Sequence, residues 1–477
     1  MSIGNEWFER ILEHEAPGGP PARLSVVAPS VAAPGETFAV KLAVLDDKGY
    51  PSVECDGCAR PDDGPWTIPC EGVAFEPGHA AVAVIPGAVL SEEGLFRLAF
   101  DLDGTTLLSN PVRCTREPAT RIWWGDPHVH TIISRCIWQR CRSLNFCFVC
   151  ARYVTGLDWV AAADHVSNGR SGPEKWKAQR IAARLFDCPP DFATLLGYEA
   201  SLKGGAGGDN NIYFADDAEE FLDEYEEGNT RTLCDKLGDQ DFIMVPHHTT
   251  RTGKHGELSD ELYLGVTHMP VVEIHSKWGT SEYRGNPNAL HEVHPGPSYV
   301  QDYLGKGCAF GFIGGTDSHA TMPSGGGDES SHIDRLPGIT AALAPALNRG
   351  NVFAAVRCRH CYATSGERIL VEMTAAGRRM GADVNWPDPS KPREIHVEAA
   401  AESDIVQLDI VRNGENVHTV KGDGWRAQAS WTDEENLSGA AYAPAGAFTQ
   451  PFAYYYIRVT CASGAQAWTS PTWLILE

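Results

Sequence analysis

Six short apolar runs in the middle of this chain each end in a histidine or a carboxylate, and they do so in sequence order. Arg121-Ile122-Trp123-Trp124-Gly125 runs into Asp126-Pro127-His128-Val129-His130, and Asp158–Ala163 runs into Asp164-His165. Phe192–Tyr198 leads to Glu199, Phe242–Pro246 to His247-His248, Val271-Val272 to Glu273-Ile274-His275, and Phe310–Gly315 to Thr316-Asp317-Ser318-His319. Runs of this length between helical or polar segments predict an α/β unit, either a barrel or a doubly wound sheet. In such a unit the strand ends converge on one face, where catalytic groups gather.

A single histidine at a strand end is ordinarily a satisfied polar residue. Six such ends in order are different, because crowded imidazoles and carboxylates are costly in a core unless an ion pairs them. Of 17 histidines, 13 lie between His128 and His360. Imidazole and carboxylate suit zinc, manganese or iron. The His128-x-His130 spacing lets two side chains on one strand face reach the same ion.

The flanks differ in texture. A short helix and linker occupies 1–20, ending at Ala16-Pro17-Gly18-Gly19-Pro20-Pro21. Segments such as Leu24–Val27, Thr37–Val44 and Leu95–Phe100 alternate as strands do, which predicts a β-sandwich module over 21–118. Glu394–Ala399, Asp404–Val411 and Tyr454–Val459, with Asn413-Gly414 as a turn, predict a second one over 371–477. The metal-binding unit then spans 119–370.

At 477 residues the chain is too long for one ordinary core. A formal net charge of −24 disfavours nucleic acid and anionic membranes as partners. The first residues lack a basic leader with an apolar core, and no apolar run is long enough to span a bilayer, so a cytoplasmic protein is expected. Its 14 cysteines then read as thiols or metal ligands. Cys55/Cys58, Cys147/Cys150 and Cys358/Cys361 have CxxC spacing without a second pair to complete a zinc ribbon, and plain thiols are the simpler reading. Cys136, Cys141, Cys147 and Cys150 form a minor metal-binding option.

His128-Val129-His130, Asp164-His165, Glu199, His248 and Asp317-Ser318-His319 resemble the successive motifs of the polymerase-and-histidinol-phosphatase (PHP) superfamily. The wording around them, including Leu195-Leu196-Gly197-Tyr198-Glu199, Tyr362–Ile369 and Trp468–Trp473, is similar to a largely uncharacterised bacterial branch allied to the carbaryl-hydrolase-like metallohydrolases. The resemblance covers about 120–370 firmly and 371–477 loosely. It implies a distorted (βα)7 barrel with two or three divalent transition metal ions. By that resemblance His128, His130 and Asp317 bind the first ion, Glu199 bridges to a second with His165, and His248, His275 and His319 hold the third. His247 stands as the alternative to His248. Where the family offers His or Asp to the second ion this chain has Cys136, a good zinc ligand if it faces inward.

Closely spaced cations lower the pKa of a shared water, so the expected activity is hydrolysis by a metal-activated hydroxide. A phosphoester of a small organic molecule is the first reading, and a carboxylester, carbamate or amide is the alternative. Asp164, beside His165, is a candidate catalytic group, either accepting a proton or orienting an imidazole. Arg170 and Arg251, with Lys203 and Lys277, are candidate cations for an anionic substrate. Trp123, Trp124, Trp138, Trp159 and Trp278 lie near ligand positions and would favour an aromatic one. A reading of another class is a binding protein whose ions only stabilise it. The flanking β modules would cover the site, pack beside it or mediate contacts in a homo-oligomer.

Overall fold

The computed structural model describes residues 4–118, 120–134, 141–166, 172–202, 207–218, 228–252, 258, 260–290, 293, 296–325 and 336–476. Cys136, Trp138, Arg170 and Lys203 lie outside the described residues.

A (βα)7 barrel is not what these residues form. Strand makes up 42% of the chain and helix 16%, with six α-helices among the described residues, too few to cross between seven parallel strands. Among the described residues, Arg121–Val129, Trp159–Ala162 and Ala193–Ser201 are the one run of three parallel neighbours in the main sheet. The helices Leu144–Val149 and Gly172–Phe186 supply their two crossovers. After Ser201 the alternation breaks. The chain turns back as a hairpin, pairing Glu199 with Asn211 and Ser201 with Asp209, so Asp209–Phe214 is antiparallel and needs no helix.

On the other side of Arg121–Val129 the sheet continues through antiparallel Gly338–Ala344 and Cys361–Ser365. It then passes without a break into the C-terminal strands Gln466–Thr469, Phe452–Cys461, Ile405–Arg412 and Glu415–Lys421. Val271–Ser276 pairs in parallel with Gly311–Gly314 in a separate three-stranded sheet. All six sequence-predicted strands thus exist, but in two sheets, with Asp209–Phe214 inserted antiparallel between Ala193–Ser201 and Phe242–Pro246.

The segment 23–114 forms three small sheets around its own core, which includes Val40, Leu42, Ile85, Leu90 and Phe100. Leu95–Phe100, which reads as one strand in sequence, is two: Gly94–Phe96 and Ala99–Leu102. Lys41 reaches across to the carbonyls of Gly156 and Leu157, and Trp124 donates to Ser30 Oγ. Arg113 bridges to Glu372 and Glu398. These contacts pack the N-terminal strands against both later parts of the chain. At 412–415, Asn413 and Gly414 both take positive φ, the geometry an Asn-Gly hairpin turn requires.

Candidate metal centre

The C-terminal ends of the strands converge although no barrel encloses them, and two carboxyl staples fix the convergence. Asp126 accepts from the backbone of His128, Thr316 and Ser324 and from the Thr316 hydroxyl, which ties the Arg121–Val129 strand to the loop carrying Asp317. Burial pushes its carboxyl up to about 6 against those four donors. Asp164 accepts from Thr131 N, Thr131 Oγ1 and Ser134 Oγ, at 2.6–2.7 Å. Both of its oxygens are occupied and the residue is fully buried, so it orients the site rather than touching a reacting atom. Of the two roles expected from its position, these bonds fit the orienting one.

That orientation has a chemical consequence. Ser134 spends its one proton on Asp164, so its oxygen accepts from His130 Nδ1 at 2.9 Å. In the neutral ring this network places the lone pair on His130 Nε2, the atom that lies 3.1 Å from both Glu199 Oε2 and Asp317 Oδ1. His128 behaves alike. Its Nδ1 donates to Glu273 Oε2 at 3.0 Å, turning Nε2 toward Asp317 Oδ1 (3.5 Å) and Glu199 Oε2 (3.7 Å). His165 Nε2 approaches Glu199 Oε2 at 3.1 Å, while His247 Nε2 approaches its other oxygen at 2.9 Å. His248 Nε2 meets Asp317 Oδ2 at 2.9 Å. His247 and His248 therefore both point inward, to different carboxylates.

Among the described residues, His128 Nε2, His130 Nε2 and Glu199 Oε2 are buried side-chain atoms with no hydrogen bond of acceptable geometry. Acceptors facing acceptors in a dry cluster call for a proton or a cation. Burial disfavours the charged ring of His130, yet Asp317 and Glu199 overcome it and lift its pKa to about 9. Burial opposes ionisation of Glu199 and Asp317 as well, but the surrounding imidazoles hold both well below the usual carboxylate range. His165 and His319 go the other way: burial, and for His319 also the charge on His130, keeps them neutral. Five overlapping triads, such as His128/His130/Glu199, His130/His165/His319 and His247/His248/Asp317, bring their ligand atoms within 4.8 Å of one another. The donor set fits a transition metal, and the sharing of Glu199 fits more than one ion.

His275 is not part of it. Its Nε2 bonds to the Leu336 carbonyl at 2.9 Å and its ring stacks on Trp468, 5.4 Å away. A β-bulge between Glu273 and His275 breaks the alternation that would put both on one face, so Glu273 enters the cluster and His275 leaves it. Asp209 also joins, grouped with Glu199 and His247. Only hairpin pairing of its strand with that of Glu199 brings it there, and no local sequence signal marks it.

Close approach demands special backbone. A methyl group at Gly315 would lie 2.5 Å from Glu273 Oε2 and 2.6 Å from His128 Cβ. His248 and Asp317, the bonded pair, hold positive φ of 52° and 51°, a strained conformation for non-glycine residues that concentrates at functional sites. Trp123, Trp124 and Trp159 fill core and give their N–H groups to Ala344, Ser30 and Trp123 respectively. Trp278 is the described tryptophan beside the cluster, edge-on to His319 at 6.1 Å and His248 at 6.3 Å. Arg251 and Lys277 accompany it, at 5.2 and 5.6 Å from the ring centre.

The described cysteines are all free, and none joins a metal-competent group. Cys147 and Cys150 are buried in the 144–154 helix, where burial raises both thiols. A four-cysteine site loses its basis there. A cavity of about 1090 Å³ between residues such as Arg23, Asp46, Arg368 and Glu402 is lined by none of the clustered histidines. Among the described residues no helix is long and apolar enough to cross a membrane.

Fold and cluster together define a β-rich protein with a buried histidine–carboxylate centre able to hold metal. No family model matches the chain. It is similar to an uncharacterised protein of Chlamydia pneumoniae, 27% identical over 411 residues, covering 83% of this chain and 64% of that protein. Uncharacterised proteins of Chlamydia muridarum and Chlamydia trachomatis are 26% and 25% identical over 415 residues, with the same coverage. The chain thus spans about 64% of the length of these relatives.

Proposed function

We propose that this chain is a metal-dependent hydrolase acting on a phosphoester of a small organic molecule. One observation carries the reading: His130 Nε2 lies 3.1 Å from both Glu199 Oε2 and Asp317 Oδ1 in a buried cluster of imidazoles and carboxylates. His128, His130, His165, Glu199, His247, His248, Asp317 and His319 would hold two or three divalent ions, with Asp209 and Glu273 as additional carboxylates. Ions bound there would lower the pKa of a water and polarise the ester oxygen.

The chain's own residues set the stage for that chemistry. Ser134 and Asp164 fix the His130 tautomer, and Glu273 fixes that of His128, as carboxylates behind metal-bound imidazoles do. The side chains of His165 and His319 are 18% and 12% exposed, against 4% or less for Glu199, His247, His248 and Asp317. Substrate therefore approaches from the His165/His319 side, where neutral imidazoles meet solvent. More than one ion sharing Glu199 favours a doubly charged phosphate group over a neutral carbonyl. Resemblance to PHP motifs supports the same chemistry, and free thiols among the described cysteines support a cytoplasmic setting.

Elemental analysis of the purified protein, followed by assays against aryl phosphates and aryl carboxyl and carbamate esters, tests the proposal. Expected are two or three equivalents of zinc, manganese or iron, and chelator-sensitive turnover of the phosphates. Absence of metal after purification in supplemented buffer overturns it. Bound metal with turnover of carboxyl or carbamate esters alone moves the scissile bond. Bound metal with no turnover of any ester leaves the metal-stabilised binding protein.

A further inference from the structure

We propose that Arg251, Lys277 and Trp278 form an anion-binding subsite beside the metal cluster, and that the substrate carries a second oxyanion, a carboxylate or phosphate, away from the bond that breaks. The inference rests on the hydrolase reading and names its substrate class.

Trp278 is the hub. Its ring stands edge-on to His319 and His248, so anything bound against it is one ring's width from the metal-binding imidazoles. The Arg251 guanidinium lies 5.2 Å and the Lys277 ammonium 5.6 Å from the ring centre. These cation–π contacts bring two like charges to one ring, and each also acts on a clustered imidazole, Arg251 on His248 and Lys277 on His319. Arg251 makes no ion pair with any described residue. Lys277 is 5% exposed, and its backbone is pinned to Thr316 O at 3.2 Å, next to Asp317. The indole Nε1–H is buried and has no hydrogen-bond partner among the described residues. Two cations and an N–H donor thus share one corner of a chain whose net charge is −24.

Such a corner selects strongly. Concentrated positive charge in an acidic protein repels cationic and disfavours neutral ligands there, and guanidinium is suited to paired oxygens. With cations already on the ring, Trp278 positions them rather than stacking an aromatic substrate. Oxyanion recognition, not aromatic recognition, is therefore the use of this tryptophan.

The test is equilibrium binding, separate from turnover. Calorimetry with the metal-loaded protein would use inorganic phosphate and benzoate as probes, on wild type, R251Q, R251K and W278F, with metal content measured on each sample. R251Q should weaken at least one anion roughly tenfold, R251K less, and W278F a few-fold, with metal unchanged. A larger effect on phosphate than on benzoate assigns the subsite to phosphate, and the reverse assigns it to carboxylate. Affinities of R251Q and W278F within about twofold of wild type, at unchanged metal content, overturn the subsite while leaving the hydrolase intact. No binding of either probe at about 10 mM overturns it too. Wild type without metal overturns the hydrolase reading instead, and is told apart by the elemental analysis.

Discussion

Two of the buried clusters of charge among the described residues are built on opposite plans. Around Arg458, Glu282 Oε1 accepts from the guanidinium at 2.7 Å and from Tyr456 at 2.6 Å, while Oε2 accepts from Trp468 and Asn286. Asp409 accepts from Arg458, Gln407 and Thr419. Every carboxylate oxygen there has donors, and the cation belongs to the chain. In the histidine cluster, Glu199, Glu273 and Asp317 meet imidazoles, Asp209 shares a triad with Glu199 and His247, and three of the facing atoms have no hydrogen bond. A buried polar group without a partner costs stability, so one cluster is complete as folded and the other has the ligand atoms that could hold ions. That difference, more than the residue types, separates a structural network from a site.

The contrast is sharpest at the shared carboxylates. Glu199→Gln should lower metal affinity by more than about a hundredfold and abolish turnover, measured by titration with zinc or manganese. Retained stoichiometry and affinity would erase the contrast from the site's side.

Glu282→Gln should do the reverse. It leaves Arg458 buried beside a neutral amide and destabilises the fold by about 3–5 kcal/mol in denaturant unfolding. The protein that remains folded should bind metal as wild type does. Metal loss at unchanged stability would show that the two clusters are one functional unit, connected through Trp468 and His275.

The smallest effect concerns a third, lone charge. Burial lowers the Lys41 ammonium from 10.5 to about 8, against the pull of Asp158. Between pH 8 and 10.5 the unfolded chain therefore binds more protons than the folded one, and stability rises with pH across that window. In Lys41→Met this contribution disappears. The wild type should gain on the variant by on the order of 1 kcal/mol between those limits, since partial exposure screens the full shift. A constant difference in melting temperature across the window would contradict it.

Much of the cluster was legible because ligands follow strands directly. His128, His130, His165, Glu199, His248, Asp317 and His319 each stand at the end of an apolar run, and apolar runs are local signals. His275 misled because alternation by twos is the default and a bulge is not written in composition. Asp209 was silent because its place depends on the partner strand. The barrel expectation failed for a similar reason. Strand direction is set by how the chain returns, and the turn after Ser201 replaces a crossover with a hairpin. Strands such as Gly338–Ala344 and Cys361–Ser365 then carry the sheet into the C-terminal segment.

By itself, the sequence determined the chemistry available: which strands form, which side chains close them, and that an acidic chain gathers most of its histidines in its middle. The tertiary structure alone decided which ring nitrogens face which oxygens, that Asp164 is a staple, and that Glu273 replaces His275. Periodicity and residue type act over a few neighbours, whereas tautomer, register and strand direction are fixed by partners far away in the chain.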